Sequence, residues 1–200
     1  MGMIDETSPD RTVEYSIIQR VLNGDTAAFE QLVVQYQPRV FATARKYARR
    51  EGEVEDIVQE IFIKAFKKLG SFRREAPFEH WIMTISVRTC YDYLRKHQRN
   101  KVSNFSEITQ DDFDLLEFYG DDGQPDRENQ EAASKLIHDL MEQLSPASRM
   151  VITLLDIEGK SVKAIAQATG WSVSLVKVRA FRARKEMRRL LATINQQQYL

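Results

Sequence analysis

The sequence predicts an all-α protein in which two small helical domains are joined by an acidic, flexible linker. Three observations predict it. Apolar residues recur at spacings of three and four from Glu14 to about Arg99, and again from Gln130 to about Ile194. Residues 101–130 break that pattern with acidic side chains, Gly120, Gly123 and Pro125. Charge is segregated in the same way: the net charge is zero overall, but −4 over residues 1–60, +7 over 61–101, −10 over 102–145 and +7 over 146–200. Two basic blocks flank an acidic one, and clustered Lys and Arg favour phosphate-rich partners whatever the overall balance.

Residues 1–13 are polar and acidic and are expected to be disordered; the first domain is assigned to 14–100. Asp25 is placed to cap the helix "DTAAFEQLVVQYQPRVFATARKYA", where Phe29, Leu32, Val33, Tyr36 and Val40 form one buried stripe. Pro38 can kink or divide that helix. The next helix, "EVEDIVQEIFIKAFKKL", stops at Gly70. A third runs from about Phe78, beside Pro77, to Arg99. In the linker, Phe113, Leu115, Leu116, Phe118 and Tyr119 are too apolar for an inert tether, so the segment is expected to dock onto something. The second domain spans 131–195: a helix to Leu144, a new one opened by Ser145 and Pro146, and helical pattern to about Ile194, with 196–200 a fraying tail.

Composition excludes several classes. The single Cys90 rules out an intrachain disulfide and reads as a quiet packed residue, and His80, His97 and His138 form no zinc-spaced cluster with it. No apolar run approaches the ~20 residues that span a bilayer. The N-terminus lacks the basic-then-apolar order of a signal peptide, so a cytoplasmic location is expected. There is no nucleophile–base pair, Gly-rich phosphate loop or metal constellation, so no catalytic residue, metal or cofactor is assigned.

The stretch "SVKAIAQATGWSVSLVKVRAFRARKEMRR" reads as a helix-turn-helix. Ala166 is small where two helices cross, Gly170 can take the positive φ of a sharp turn, and Ile165 and Val176 pack between the helices. In the second helix, which starts near Ser172 or Val173, Val176, Ala180, Ala183, Met187, Leu190 and Leu191 share the inward side. Ser174, Lys177, Val178, Phe181, Arg182 and Lys185 face outward, where a major groove would meet them, and Arg179, Arg184, Arg188 and Arg189 remain for phosphates. The alternative is a basic amphipathic helix in a plain bundle.

In the first domain, Phe72, Phe78, Trp81, Tyr91 and Tyr93 alternate with Arg73, Arg74, Arg88, Arg95, Lys96 and Arg99. Aromatic faces stack on unpaired bases while cations track the backbone; Trp81, Ile82, Ile85 and Leu94 are equally good core residues. In "EDIVQEIFIKAF", Ile57, Val58, Ile61, Phe62, Ala65 and Phe66 form the inward side of a helix. Asp56, Gln59, Glu60 and Ile63 share the outer one, and an outward Ile63 is poorly explained by solvation alone.

With these residues in hand, "AFEQLVVQYQPRVFATARKYA", "EDIVQEIFIKAFKKLGSFR", "FEHWIMTISVRTCYDYLRK" and "LMEQLSPASRMVITLLDIEGKSVKAIAQATGWSVSLVKVRAFRARKEMRRLL" resemble, in order, the signatures of bacterial RNA polymerase sigma factors of the extracytoplasmic-function (ECF) group. The resemblance covers roughly residues 14–192. It implies a non-catalytic initiation factor whose first domain binds the clamp helices of the largest polymerase subunit through Asp56, Gln59, Glu60 and Ile63. That domain would also melt the −10 promoter element with Phe72, Arg73, Arg74, Phe78, Trp81, Arg88, Tyr91, Arg95 and Lys96. The second domain would read the −35 element with Ser172, Ser174, Lys177, Val178, Arg179, Phe181, Arg182, Arg184 and Lys185, and contact the flap of the second-largest subunit. The acidic linker would thread the polymerase, and an anti-sigma protein, often membrane-attached, would hold the chain inactive. The partners implied are thus core polymerase, promoter DNA and an anti-sigma factor, with no small-molecule substrate. Two positions depart from the family pattern: Arg88 stands where Asn is common, and "LVKVR" at 175–179 where Thr-Val-Lys-Ser-Arg is usual, so no promoter sequence follows. The competing reading of the residues is a stand-alone helix-turn-helix regulator that binds operators as a dimer.

Overall fold

A computed structural model describes residues 9–48, 50–99 and 136–198; the acidic linker, with its expected docking role, lies outside them. All regular structure among the described residues is helical: α1 (Pro9–Leu22), α2 (Phe29–Arg45), α3 (Glu51–Lys68), α4 (Phe78–Arg99), α5 (136–143), α6 (Pro146–Ile152), α7 (Val162–Thr169) and α8 (Val173–Gln198). Helix α1 begins at Pro9, inside the segment expected to be disordered, and its Ile17, Ile18 and Val21 are buried. Burying that short stripe offsets the entropy of ordering the helix.

Local chemistry sets the boundaries. Gly24, at φ +104°, turns the chain after α1. Asp25 Oδ1 then accepts from Ala28 N at 3.2 Å, capping a short 3-10 turn that leads into α2. The Arg20 guanidinium binds the same carboxylate at 2.7 Å and holds its pKa below the ordinary Asp value. Helix α2 runs straight through Pro38 instead of dividing there. Pro38 is exposed, and buried Leu32, Tyr36, Val40 and Ala44 carry the packing on the opposite side. Gly70 does not end α3 in a left-handed cap; the last turn tightens into 3-10 geometry over Leu69–Ser71.

In the second half, Ser145 caps α6 by accepting from Ser148 N at 3.2 Å, with Pro146 in the first turn. Helix α6 loosens into a π-turn over Thr153–Ile157, closed by Glu158 N donating to Thr153 O at 2.9 Å. Gly170 caps α7 at φ +81°. An added Cβ there would be left-handed and would sit 3.4 Å from the Arg88 Nη2 atom. Gly170→Ala should therefore destabilise the chain by about 1–2 kcal/mol, visible as a lower urea midpoint.

The two domains are not beads on a string. Helix α4 lies between α2 and α3 on one side and α6 and α7 on the other. One continuous core runs from Ile57, Ile61 and Phe78 through Cys90 to Met150, Leu154, Ile165 and Val176. A smaller cluster of Met141, Leu144, Ile152 and Ala183 holds α5, α6 and α8 together. Cys90 is fully buried, and burial pushes its thiol up to about 12, as befits the packed residue expected.

Candidate nucleic-acid and partner interface

Helix α3 presents Asp56, Gln59, Glu60 and Ile63 together on its outer side, all exposed. The positions fall one turn apart, while Val54, Ile57, Val58, Ile61, Phe62 and Ala65 face the core. Lys64 bridges Glu60 at 2.9 Å and reaches Asp92 of α4 at 3.6 Å, which fixes the rotamers at the edge of the face. Ile63 is 45% exposed. Phe66, expected to face inward, is 40% exposed and touches Phe29 edge-on at 5.1 Å. The stripe reaches its limit there, so Phe66 extends the apolar rim begun by Ile63.

The aromatic-basic segment divides. Phe78, expected to meet DNA, is 0% exposed and packs on Tyr36, Phe72 and Trp81 at 5.2–5.4 Å, so no base can reach its face. Phe72 and Trp81 are half-buried in the same aromatic cluster. Arg73 and Arg74 are exposed beside them; Arg74, at φ +60°, lays its guanidinium 5.2 Å from the Tyr15 ring. Farther along α4, Arg95 and Lys96 are exposed, and Arg88 and Tyr91 face the second domain.

In α8, Ser172, Ser174, Lys177, Val178, Arg182 and Lys185 are exposed and Phe181 is half-buried. Val176, Ala180 and Ala183 are buried as their spacing predicts, with Met187, Leu190 and Leu191 partly so. Ser172 Oγ accepts from Leu175 N at 3.1 Å and so caps the N-terminus of α8. Two arginines assigned to phosphates have protein partners instead. Arg179 lies over the Trp171 ring at 3.8 Å, and Arg184 Nε donates to Asp156 at 3.3 Å, a bond that raises the arginine's pKa further.

A family model described as Sigma-70 region 2 matches residues 32–100, and one described as Sigma-70, region 4 matches residues 134–187. The RNA polymerase sigma-H factor of Pseudomonas aeruginosa is 31% identical, covering 89% of this chain and 93% of its own length. The ECF RNA polymerase sigma-E factor of Escherichia coli K12 is 33% identical, covering 88% and 93%. This chain belongs to the sigma-70 family of sigma factors, in its ECF group.

As a sigma factor it is a non-catalytic subunit that directs RNA polymerase to promoters. Among solved structures, CnrH in complex with the cytosolic domain of CnrY superposes with a TM-score of 0.55 at 25% identity, covering 88% of this chain and 96% of that one. The sigma factor RpoE from Bartonella quintana, in complex with the anti-sigma factor NepR, gives 0.52 at 24% identity, covering 82% and 96%, a likeness of fold. Among the described residues, no helix of this sigma factor is long and apolar enough to cross a membrane.

One set of residues escaped the reading of the sequence. Lys46 Nζ meets Glu158 Oε1 at 2.9 Å, and Lys160 meets the other oxygen at 3.4 Å. Buried Arg149 donates from Nη2 to the Lys46 carbonyl at 3.4 Å. Trp171 stands edge-on to Tyr91 at 5.2 Å. The available signal was "SVRTC", residues 86–90, where small residues run with Arg88 as the only charged side chain. A helix segment buried on both sides looks like that.

Proposed function

We propose that this sigma factor docks on the clamp helices of the largest polymerase subunit through Asp56, Gln59, Glu60 and Ile63, with Phe66 at the rim. Melted −10 DNA is then gripped by Phe72, Arg73, Arg74, Trp81, Arg88, Tyr91, Arg95 and Lys96. The −35 duplex is read by Ser172, Ser174, Lys177, Val178, Phe181, Arg182 and Lys185, with Arg179 and Arg184 moving to phosphates. The observation that carries this reading is α3, which exposes two carboxylates, a carboxamide and two large apolar side chains on one side of a helix whose other side is core. Simple solvation gives no reason to hold Ile63 and Phe66 in water. We place the protein in the cytoplasm, with the second domain also touching the flap and an anti-sigma protein as its off switch. CnrH, solved with the cytosolic domain of CnrY, and the Bartonella quintana RpoE, solved with the anti-sigma factor NepR, support that last element. A membrane-attached anti-sigma protein would hold the chain at the inner membrane face.

The test is co-migration of the purified chain with core polymerase, followed by run-off transcription on promoters mapped from overexpression. Binding and promoter-dependent initiation are expected; a chain that ignores the polymerase but binds a palindromic operator as a dimer would replace this reading. Within the holoenzyme, Lys177→Ala should weaken promoter binding and lower the slope of log K against log salt by about one. An unchanged slope would remove Lys177 from the phosphate contacts.

A further inference from the structure

We propose that Tyr15 of α1 is a positioning residue for the −10 surface: its ring holds Arg74, and with it the loop over residues 72–77, in the conformation that meets melted DNA. The inference rests on the assignment of Phe72, Arg73, Arg74 and Trp81 to the −10 strand above, and it brings in a helix to which that assignment gives no part.

Helix α1 precedes residues 32–100, the span that matches the region 2 model. Its Tyr15, Ile18 and Leu22 follow one another at spacings of three and four and so share one side of the helix. Ile18 is buried in the core. The other two bracket the chain that joins α3 to α4. Leu22 Cδ2 lies 3.9 Å from the place a Cβ on Gly70 would take. The Tyr15 ring stands 6.2 Å from that of Phe72, centre to centre, and the Arg74 guanidinium carbon lies over the Tyr15 ring at 5.2 Å. The rotation of α1 that aims Tyr15 at the loop is fixed from the preceding position, because Tyr36 of α2 donates its hydroxyl proton to the carboxylate of buried Glu14.

The loop needs such a support. Among the described residues, Arg74 is the only non-glycine with a positive φ, at +60°. A Cβ in that region crowds the backbone, so an arginine stays there only where contacts outside the residue outweigh the strain. The exposed Arg74 side chain takes such a contact from the Tyr15 ring, whose face attracts a cation. Phe72 lies within 5.3–5.6 Å of Phe78 and Trp81, and Tyr15 is the outermost ring of that aromatic chain. The N–H donors of a guanidinium radiate from its carbon, so a ring on one side leaves donors for a phosphate. Tyr15 therefore fixes where Arg74 stands without consuming what it donates. With the ring removed, Arg74 relaxes out of the left-handed region and DNA has to order the loop as it binds. That ordering cost appears as weaker capture of the melted strand.

The test titrates holoenzyme against a promoter mapped from overexpression, its −10 stretch held open by mismatches, and reads the half-saturating concentration apart from the plateau. Tyr15→Ala should raise that concentration about fivefold, with the plateau and the affinity for core polymerase unchanged. Tyr15→Phe keeps the ring and should bind within about twofold of the wild type. Loss of folded protein would lower the plateau instead, so the two readings separate positioning from instability. If Tyr15→Ala does not fold, Tyr15→Leu takes its place, keeping apolar volume against Phe72 without a ring face. In an Arg74→Ala background the Tyr15 substitution should add less than about twofold, because Phe72 still has Phe78 and Trp81 and no cation is left to hold. A full loss in that background overturns the proposal, as does wild-type half-saturation for the Tyr15 variant or failure of Tyr15→Phe to restore it. If Arg74→Ala alone binds the open promoter as the wild type does, the −10 role of Arg74 falls, and the proposal with it. A defect in Arg74→Ala with none in the Tyr15 variant sinks the positioning role and leaves the −10 assignment standing.

Discussion

Phe78→Ala is expected to lower the unfolding free energy by about 3–5 kcal/mol, the range for truncating a fully buried phenylalanine. The ring is 0% exposed and sits at the start of α4, where it joins α2 through Tyr36 and the preceding loop through Phe72. Removing it leaves a cavity that three neighbouring aromatic rings cannot readily refill. Urea unfolding of the full chain would show the loss as a lower midpoint, read with its slope. Phe78→Leu retains most of the volume and should cost less. Unchanged stability with loss of promoter melting would return Phe78 to the DNA contacts from which its burial removes it.

Glu60→Lys is expected to weaken binding to core polymerase by at least about tenfold, close to 1.4 kcal/mol, and to leave the fold almost untouched. Glu60 is exposed and paired within α3 to Lys64 at 2.9 Å. Reversing its charge sets a second ammonium beside Lys64, which costs only a few tenths of a kcal/mol in an exposed helix. At an interface the same change meets whatever cation on the partner the carboxylate was facing, and like-charge contact there is far more costly. Titration of wild-type and variant chains against core polymerase, with circular dichroism as the control for helix content, separates the two effects. Equal affinities would make the outer side of α3 an ordinary solvated surface.

The two predictions sit on opposite sides of what periodicity can resolve. Spacing alone separated Ile57, Val58 and Ile61 from Asp56, Gln59 and Glu60, because a helix with one buried side imposes a 3.6-residue period. It failed for Phe66 at the edge of the stripe, where a wheel gives an angle but not the position of Phe29. It failed also for Phe78, because an aromatic among arginines has the same composition whether it is core or stacking platform. In α8 the outward positions Ser174, Lys177, Val178, Arg182 and Lys185 were legible, since Val176, Ala180 and Ala183 mark the inner side unambiguously. The partners of Arg179 and Arg184 were not, because both lie elsewhere in the fold.

By itself, then, the sequence determined the helical class, the placement of the caps at Asp25 and Ser145, the left-handed turn at Gly170 and the basic face of α8. These depend on neighbours within a few residues, and local sterics and helical period decide them. Only the tertiary structure decided that α4 is packed on two sides, that one core crosses both domains, and that Arg88 and Tyr91 close on Ala168 and Trp171. Those contacts join residues 80 positions apart, and which surfaces meet at that distance depends on packing across the whole molecule, which no local period encodes.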